Sequence, residues 1–405
     1  MAGSSIARGG GDRRLGLAKP CVDLPPEVTG LARTAHTLDD LARLAAGQLP
    51  ADVWDFVQGG SGEDGTVLAN RAALDSIRLR PRVLAEVAEA TGYCRLLNAE
   101  SALPLAVAPM AYQKMMHPRG EVDMALAAYE AGVPIALSTL SSRTIEDVCG
   151  TGAVVWFQLY WLRDRDAILG LVRRAERAGC RAVMVTVDVP VMGRRLRDIR
   201  NRFAVPEEIS AINLPPVMRG GGTAAKPGTS AVAAHTGAVF DPGMGWSDLD
   251  WLREVTDLPL IVKGIMDPED ADRAVSAGAD AIVVSNHGGR QLEGALPSIL
   301  ALADVVDAVS DRCEILFDSG VRSGTDILRA LALGASGVLV GRPMLWGLAV
   351  DGARGAARAL EILRVELEFA LALAGCPNVL AARRLDATVV PGLPFSAPFG
   401  HPAPA

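Results

Sequence analysis

Aromatic residues are scarce, 4% of 405, and there are only five histidines. No two histidines stand close enough in sequence to suggest a metal cluster. The six cysteines, at 21, 94, 149, 180, 313 and 376, form no CxxC or other metal-ligand spacing. That removes a metal centre from the candidate chemistry and leaves buried or surface thiols of a reducing cytoplasm. No run of about 18 uncharged apolar residues occurs, so no membrane-spanning helix is expected. Residues 1–30 lack the apolar stretch of a secretory signal. Basic residues are fewer than acidic ones, 40 against 47, for a net charge of −7. A net-acidic chain is a poor match to nucleic acid. The expectation is a soluble cytoplasmic protein with neither a membrane nor a nucleic-acid partner.

What the chain does have is apolar material, 50% of its residues, with 42 glycines and 25 prolines to punctuate it. Eight short apolar runs recur: 103–110, 134–139, 155–160, 182–188, 258–264, 281–287, 314–320 and 337–342. Each is bounded by turn residues, as a strand buried on both faces would be. Segments with helical spacing lie between them. In 164–178, Ile168, Leu171, Val172 and Ala175 fall on one face and the charges on the other. Pro268–Ala277 and Gly324–Leu333 behave alike. Eight such βα units over 103–342 predict a (β/α)8 barrel. One step, from Ala182 to Leu258, is far longer than the rest and holds an insert at about 200–247. It reads as a structureless loop, serving either as a lid over the mouth or as an inert insertion. Residues 1–30 read as a disordered leader and 387–405 as a proline-rich tail, with one domain over 31–386.

Polar groups collect at the C-terminal ends of the predicted strands: Ser138, Gln158, Tyr160, Thr186, Asp188, Lys263, Ser285, His287, Asp318 and Arg342. In a parallel barrel those ends converge on one mouth, where active sites lie. After strands seven and eight, Gly320-Val-Arg322 and Gly341-Arg342 each open a helix. Glycine lets backbone N–H groups approach an anion, and the helix dipole favours it, so the pair predicts a phosphate site. In SNHGGRQL (285–292), His287 and Arg290 flank two glycines and can face one cavity. A histidine at a strand end is a structural residue or a base; beside an arginine it suits proton removal from a carboxylate substrate. Asp188 can raise its basicity. Lys263, on an apolar strand, needs a buried anion or an electron-rich acceptor.

These motifs resemble the FMN-dependent α-hydroxy acid oxidases and dehydrogenases over about 36–385. SNHGGRQL carries most of the resemblance. PRVL (81–84), APMAYQKMMHP (108–118), FQLY (157–160), TVDVPVMGRRLRDIRNRF (186–203) and DSGVRSGTD (318–326) support it. GGSGEDGTVLANR (59–71) and Trp161-Leu-Arg-Asp164 are similar to the hydroxymandelate oxidases of glycopeptide-type antibiotic pathways. The resemblance implies an N-terminal helical extension before the barrel and oxidation of a 2-hydroxy acid to a 2-keto acid on FMN. It makes His287 the base and Asp188 its partner. Arg290 and Arg195 hold the carboxylate, and Tyr160 donates to the substrate. Lys263 sits by the flavin N1–C2=O edge. Ser138, Gln158, Thr186 and Ser285 hold the ring, with Pro109, Met110 and Ala111 against it. Asp318, Gly320, Arg322, Gly341 and Arg342 hold ribityl and phosphate. O2 is the implied acceptor, giving H2O2, and a homotetramer the implied assembly.

Two departures bear on substrate. Phe56 stands where many members carry a substrate-contacting tyrosine, and it is either a pocket wall or a packing residue. Leu140 replaces a bulky aromatic of glycolate oxidase. Together with Met110 they favour an aryl substituent. The alternatives are a quinone or carrier-protein acceptor, or an aliphatic acid such as lactate or glycolate.

Overall fold

The computed structural model describes residues 30–97, 99–220, 228 and 230–390. Eight parallel strands close into a barrel. They are β1 (Leu105–Val107), β2 (Ile135–Ser138), β3 (Val155–Tyr160), β4 (Ala182–Thr186), β5 (Leu260–Ile265), β6 (Ala281–Val284), β7 (Glu314–Phe317) and β8 (Gly337–Val340). The helices that follow them in turn are α1 (Glu121–Ala131), α2 (Ile145–Cys149), α3 (Arg165–Ala178), α4 (Trp246–Val255), α5 (Pro268–Ser276), α6 (Ser298–Val309), α7 (Gly324–Ala332) and α8 (Arg342–Ala374). The last is broken at Asp351–Gly352, where the backbone leaves helical angles. The expected (β/α)8 architecture therefore stands.

Strand alternation sorts the side chains into two cores. Ala106, Ala136, Trp156, Ala182, Met184, Ile261 and Ala281 face inward, filling the barrel. Their neighbours Leu105, Val107, Ile135, Phe157, Val183, Val185 and Val262 pack outward under the helices. Small residues on four strands make room for the single large Trp156, so the interior is a packed core rather than a pore. The α3 helix shows how local sequence sets the helical layer. Asp164 caps it, accepting from Asp166 and Ala167 N–H, and Gly179 ends it in a left-handed turn. The predicted stripe of Ile168, Leu171, Val172 and Ala175 is buried.

Two expectations need correction. The insert is not structureless: it forms a 3-10 turn at Pro216–Met218 and a helix at Ala231–Val239. That helix is stitched to the end of β3, with Arg163 N–H donating to Val239 O (3.1 Å) and Asp241 N–H to Trp161 O (2.9 Å). Its Gly/Ala-rich composition hid a helix with little amphipathic contrast. Nor does the tail begin at 387. Ala387–Val389 pairs antiparallel with Ile77–Leu79, and three residues are too few for a strand period to be read. Residues 1–29 of the expected leader and 391–405 of the tail lie outside the described residues, as do 221–227 and 229 of the insert.

The extension before the barrel is helical, at Leu31–Thr34, Leu38–Gln48, Ala51–Gln58 and Gly65–Ser76. Thr37 and Asp40 form a reciprocal cap on the second of these. The last two bear on the mouth. Asn70, in Gly65–Ser76, exchanges amide hydrogen bonds with Asn286 at the end of β6 (2.9 and 2.7 Å). Ser61 N–H donates to Gly289 O at 2.9 Å. A Cβ on Gly289 would stand 2.7 Å from Val67 N. The second glycine of SNHGGRQL is thus required by the approach of the extension as well as by its positive φ of 76°. Among the described residues, no helix is long and apolar enough to cross a membrane.

Candidate active site

One cavity opens at the C-terminal end of the barrel. Phe56, Pro109, Met110, Ala111, Leu140, Tyr160, Thr186, Arg195, Lys263, His287, Arg290, Asp318, Gly320, Arg322, Gly341 and Arg342 all line it. Residues from every strand end except that of β6 itself reach it directly, and β6 contributes through the 3-10 turn His287–Gly289. The remaining predicted residues do not line the cavity but stand behind its wall. Asp188 sits behind His287. Ser138, Gln158 and Ser285 are buried in the strand-end layer. There, Gln158 Nε2 donates to Thr186 Oγ1 (2.9 Å), Leu140 N–H donates to Ser138 Oγ (3.1 Å), and Lys263 Nζ donates to Ser285 Oγ (2.9 Å).

His287 is held in an unusual backbone conformation, with φ of 58°. Its N–H donates to Ser285 Oγ at 3.0 Å. Its Nδ1 lies 3.0 and 3.2 Å from the two Asp188 oxygens. An ionised carboxylate only accepts, so Nδ1 carries the proton and Nε2 is left as the basic nitrogen. Burial lowers the His287 pKa below its ordinary value, while Asp188 pulls it back up and Lys263 pushes it down. Burial would raise the Asp188 carboxyl; His287 and Lys263 outweigh it and hold it below the usual range. The neutral imidazole and ionised carboxylate are thus the resting forms. Room for Asp188 comes from Gly264, where a Cβ would meet Asp188 Cβ at 2.6 Å. Gly264 lies in a register irregularity of β5, with φ of 111°.

Lys263 Nζ lies 3.1 Å from Asp318 Oδ2. Burial disfavours its charge, but Asp318 and Asp188 more than restore it, so the ammonium is kept. Four guanidiniums complete a cationic wall. Arg290 Nη1 donates to the carbonyls of Phe56 (2.9 Å) and Gly59 (2.6 Å). Arg342 donates to Val57, Gly288 and Gly59 carbonyls at 2.9–3.1 Å. Arg322 Nη1 donates to Val321 O (2.7 Å), and its guanidinium lies 5.0 Å from the Trp346 ring centroid. Arg195 is 8% exposed, and its Nε has no hydrogen-bond partner among the described residues.

Burial lowers the pKa of all four, and like charge adds to the fall in three. Arg195 is pulled to about 9 by burial and Arg290. Arg322 is pulled to about 10 by burial and Arg71. Arg342 is driven well below its ordinary value by burial, Arg290, Arg322 and Arg195. Burying like charges together is costly unless anions compensate them. The carbonyl partners of Arg290 and Arg342 are neutral, so this wall is built to receive anions.

The same cavity has an apolar wall of Leu140, Met192, Val232 and Phe240. Tyr160 stacks on Phe240 with centroids 4.6 Å apart, and burial raises the Tyr160 pKa, Asp188 adding to it. Phe56 both lines the cavity and packs, stacking on Phe203 at 4.5 Å. Tyr112, Met192, Val232, Thr236, Phe240 and Ser319 are lining residues that sequence reasoning missed. Ser319 accepts from Gly288 N–H (2.9 Å) and donates to Asp318 (2.8 Å). Its place in DSGVRSG was the available signal. The insert residues left none, since their helix was not read.

A barrel mouth with an imidazole–carboxylate pair, a buried ammonium and a wall of guanidiniums defines an enzyme site suited to anionic ligands. Comparison with known proteins agrees. Residues 45–387 match the FMN-dependent dehydrogenase family, and the chain belongs to that family. It is 52% identical to 4-hydroxymandelate oxidase of Amycolatopsis orientalis, over 87% of this chain and 98% of that one. It is 44% identical to L-lactate oxidase of a Nostoc strain, over 84% and 95%. A crystal structure of mandelate oxidase with (S)-4-hydroxymandelic acid superposes with a TM-score of 0.85 at 50% identity, covering 88% of this chain and 99% of that one. The resemblance read from the motifs therefore stands, and the cofactor is FMN. The cavity fits it: the buried guanidiniums of Arg322 and Arg342 beside Gly320 and Gly341 suit a phosphate.

Proposed function

We propose that the protein oxidises an aryl 2-hydroxy acid, of the mandelate or 4-hydroxymandelate kind, to the 2-keto acid. The observation that carries this reading is a single cavity lined both by a base and two guanidiniums and by the apolar side chains of Leu140, Met192 and Phe240. Arg195 and Arg290, which both line the cavity, bind the substrate carboxylate. His287 removes a proton from the substrate at Nε2, because Nδ1 is committed to Asp188. Asp188 orients the ring and stabilises the imidazolium once the proton has arrived. Tyr160, kept protonated by burial, donates to the substrate oxygen as charge develops there.

FMN, when bound, would supply the two-electron acceptor, with O2 as final oxidant and H2O2 as its product. Arg322 and Arg342 would hold its phosphate and Asp318 the ribityl chain. Lys263 would supply a cation to the ring, and Ser138, Gln158, Thr186 and Ser285 would support it from the strand-end polar layer. Pro109, Met110 and Ala111 would help to hold it. The apolar stacking surface of Phe240 and the small Leu140 favour an aromatic substituent over a methyl group or hydrogen.

Anaerobic mixing of the holoenzyme with mandelate, 4-hydroxymandelate, lactate and glycolate, followed through flavin absorbance, tests the reading. The aryl acids should bleach the flavin with the higher kcat/KM, and air should restore its colour with stoichiometric peroxide. A higher kcat/KM for lactate or glycolate would sink the substrate assignment. Slow recovery in air with fast recovery on a quinone would sink the oxidase assignment.

A further inference from the structure

We propose that Tyr112, backed by His235 of the insert, is the acceptor for a hydroxyl group on the para position of the substrate ring. This deepens the function proposed above and rests on it. Tyr112 lines the cavity yet is only 2% exposed. Its backbone N–H donates to Leu140 O at 3.1 Å, which ties it to the apolar wall. Burial raises its pKa, and nearby Tyr160 adds to the rise. It thus stands beside Leu140 and Tyr160 in the cavity lining.

The hydroxyl of Tyr112 is 3.5 Å from His235 Nδ1. His235 Nε2 is 2.7 Å from Met218 O. A carbonyl oxygen can only accept, so Nε2 carries the imidazole proton and Nδ1 is an acceptor. The phenol proton of Tyr112 is therefore directed to Nδ1, and the lone pairs of its oxygen are left for a donor in the cavity. A second feature holds the imidazole in this pose. Gly220, in a left-handed conformation (φ 60°), lies so close that a Cβ there would meet the ring at 2.6 Å. Among the described residues no donor reaches the Tyr112 oxygen, so the chain Met218 O, His235, Tyr112 leaves an acceptor position there. A phenol on the substrate ring satisfies it. A bare ring leaves a buried oxygen without a donor, and a methoxy group brings a second acceptor against it.

The elements involved come from two places. Tyr112 follows the β1 run and is set by its own loop, where the buried Glu121 accepts from Gln113 N–H (3.1 Å) and Ser142 N–H (2.8 Å). His235 rides on the insert helix Ala231–Val239. Preference for the para-hydroxyl would thus be set by the contact between the barrel and its insert.

The test is the ratio of kcat/KM for 4-hydroxymandelate to that for mandelate, in wild type and variants. Wild type should favour the 4-hydroxy acid, and 4-methoxymandelate should be the poorest of the three. In Tyr112→Phe the ratio should fall roughly tenfold, the scale of one buried neutral hydrogen bond. His235→Leu should lower it in the same direction. His235→Gln, which keeps a donor for Met218 and an acceptor for Tyr112, should retain more of the preference than His235→Leu. Wild type that oxidises both aryl acids, with the ratio unchanged in Tyr112→Phe, would overturn this assignment and leave the proposed function standing. Wild type that oxidises only short aliphatic acids would overturn both. Should Tyr112→Phe turn over too slowly to measure, the same ratio is read as binding of 4-hydroxybenzoylformate against benzoylformate, from the perturbed flavin spectrum. Equal loss for both ligands would count against the assignment.

Discussion

The two walls of the cavity differ in how they are built. The cationic wall is made of long side chains from the loop after β4, the turn after β6, the loop before α7 and the first residue of α8, three of them anchored on backbone carbonyls. The apolar wall is made of short contacts between the barrel and the insert helix, with Tyr160 stacked on Phe240 as their junction. On the function proposed above, the first would grip what all 2-hydroxy acids share. The second is assembled from elements free to vary independently, and recognises what distinguishes one acid from another. Chemistry and selectivity are thus assigned to different parts of the chain, and substitutions on each side should have separable effects.

The largest effect is expected at the base. His287→Ala should slow flavin bleaching by about 10^4-fold, the upper range for general base catalysis. FMN should stay bound, and rapid anaerobic mixing measures both. Next comes the carboxylate grip. Arg290→Met should lower kcat/KM roughly 100-fold for aryl and aliphatic acids alike, since a charge-assisted pair is lost in either case. A loss confined to one class would contradict the division of labour between the walls.

Asp188→Asn should slow reduction roughly 100-fold and also move the pH profile. The base must be neutral, so activity falls on the acid side of the His287 pKa. Burial already places that pKa below its ordinary value, and Asp188 opposes the fall. Removing the carboxylate charge lowers it further, so the acid limb of kcat/KM should shift to lower pH. The smallest of these effects is on the apolar wall. Leu140→Trp should reduce the preference for mandelate over lactate by about tenfold by filling ring space, with peroxide yield per turnover unaltered. A fall in lactate turnover equal to that in mandelate would show that Leu140 belongs to both walls.

The same contrast governs what could be read from the sequence. The barrel was legible because eight short apolar runs had no other economical fold. Its polar strand ends were legible because parallel strands bring one end of each together. Thus His287, Asp188, Lys263, Arg290, Arg322 and Arg342 were located before their geometry was known, while Arg195 came only from the motif resemblance. The partner arrangement of Asp188 with Nδ1, rather than Nε2, was not, since it depends on the left-handed backbone at His287. Phe240 and His235 escaped notice for a different reason. Their helix is rich in alanine and glycine and buries only part of itself, so it lacks the periodic stripe that marked α3. Val389 lies in a strand too short to show alternation, and its pairing with Ile77 becomes visible only in three dimensions.

The carbonyl groups of Phe56, Val57 and Gly59 are held by Arg290 and Arg342, although all three residues precede the first barrel strand by more than forty positions. A segment that the fold's topology places outside is thereby inside the chemistry. An excised β1–α8 unit would be an incomplete reagent, with Arg290 stripped of its carbonyl partners and Arg342 left with that of Gly288. Conversely, exchanging residues 51–64 between relatives would transplant part of the pocket without touching a single turn of the barrel.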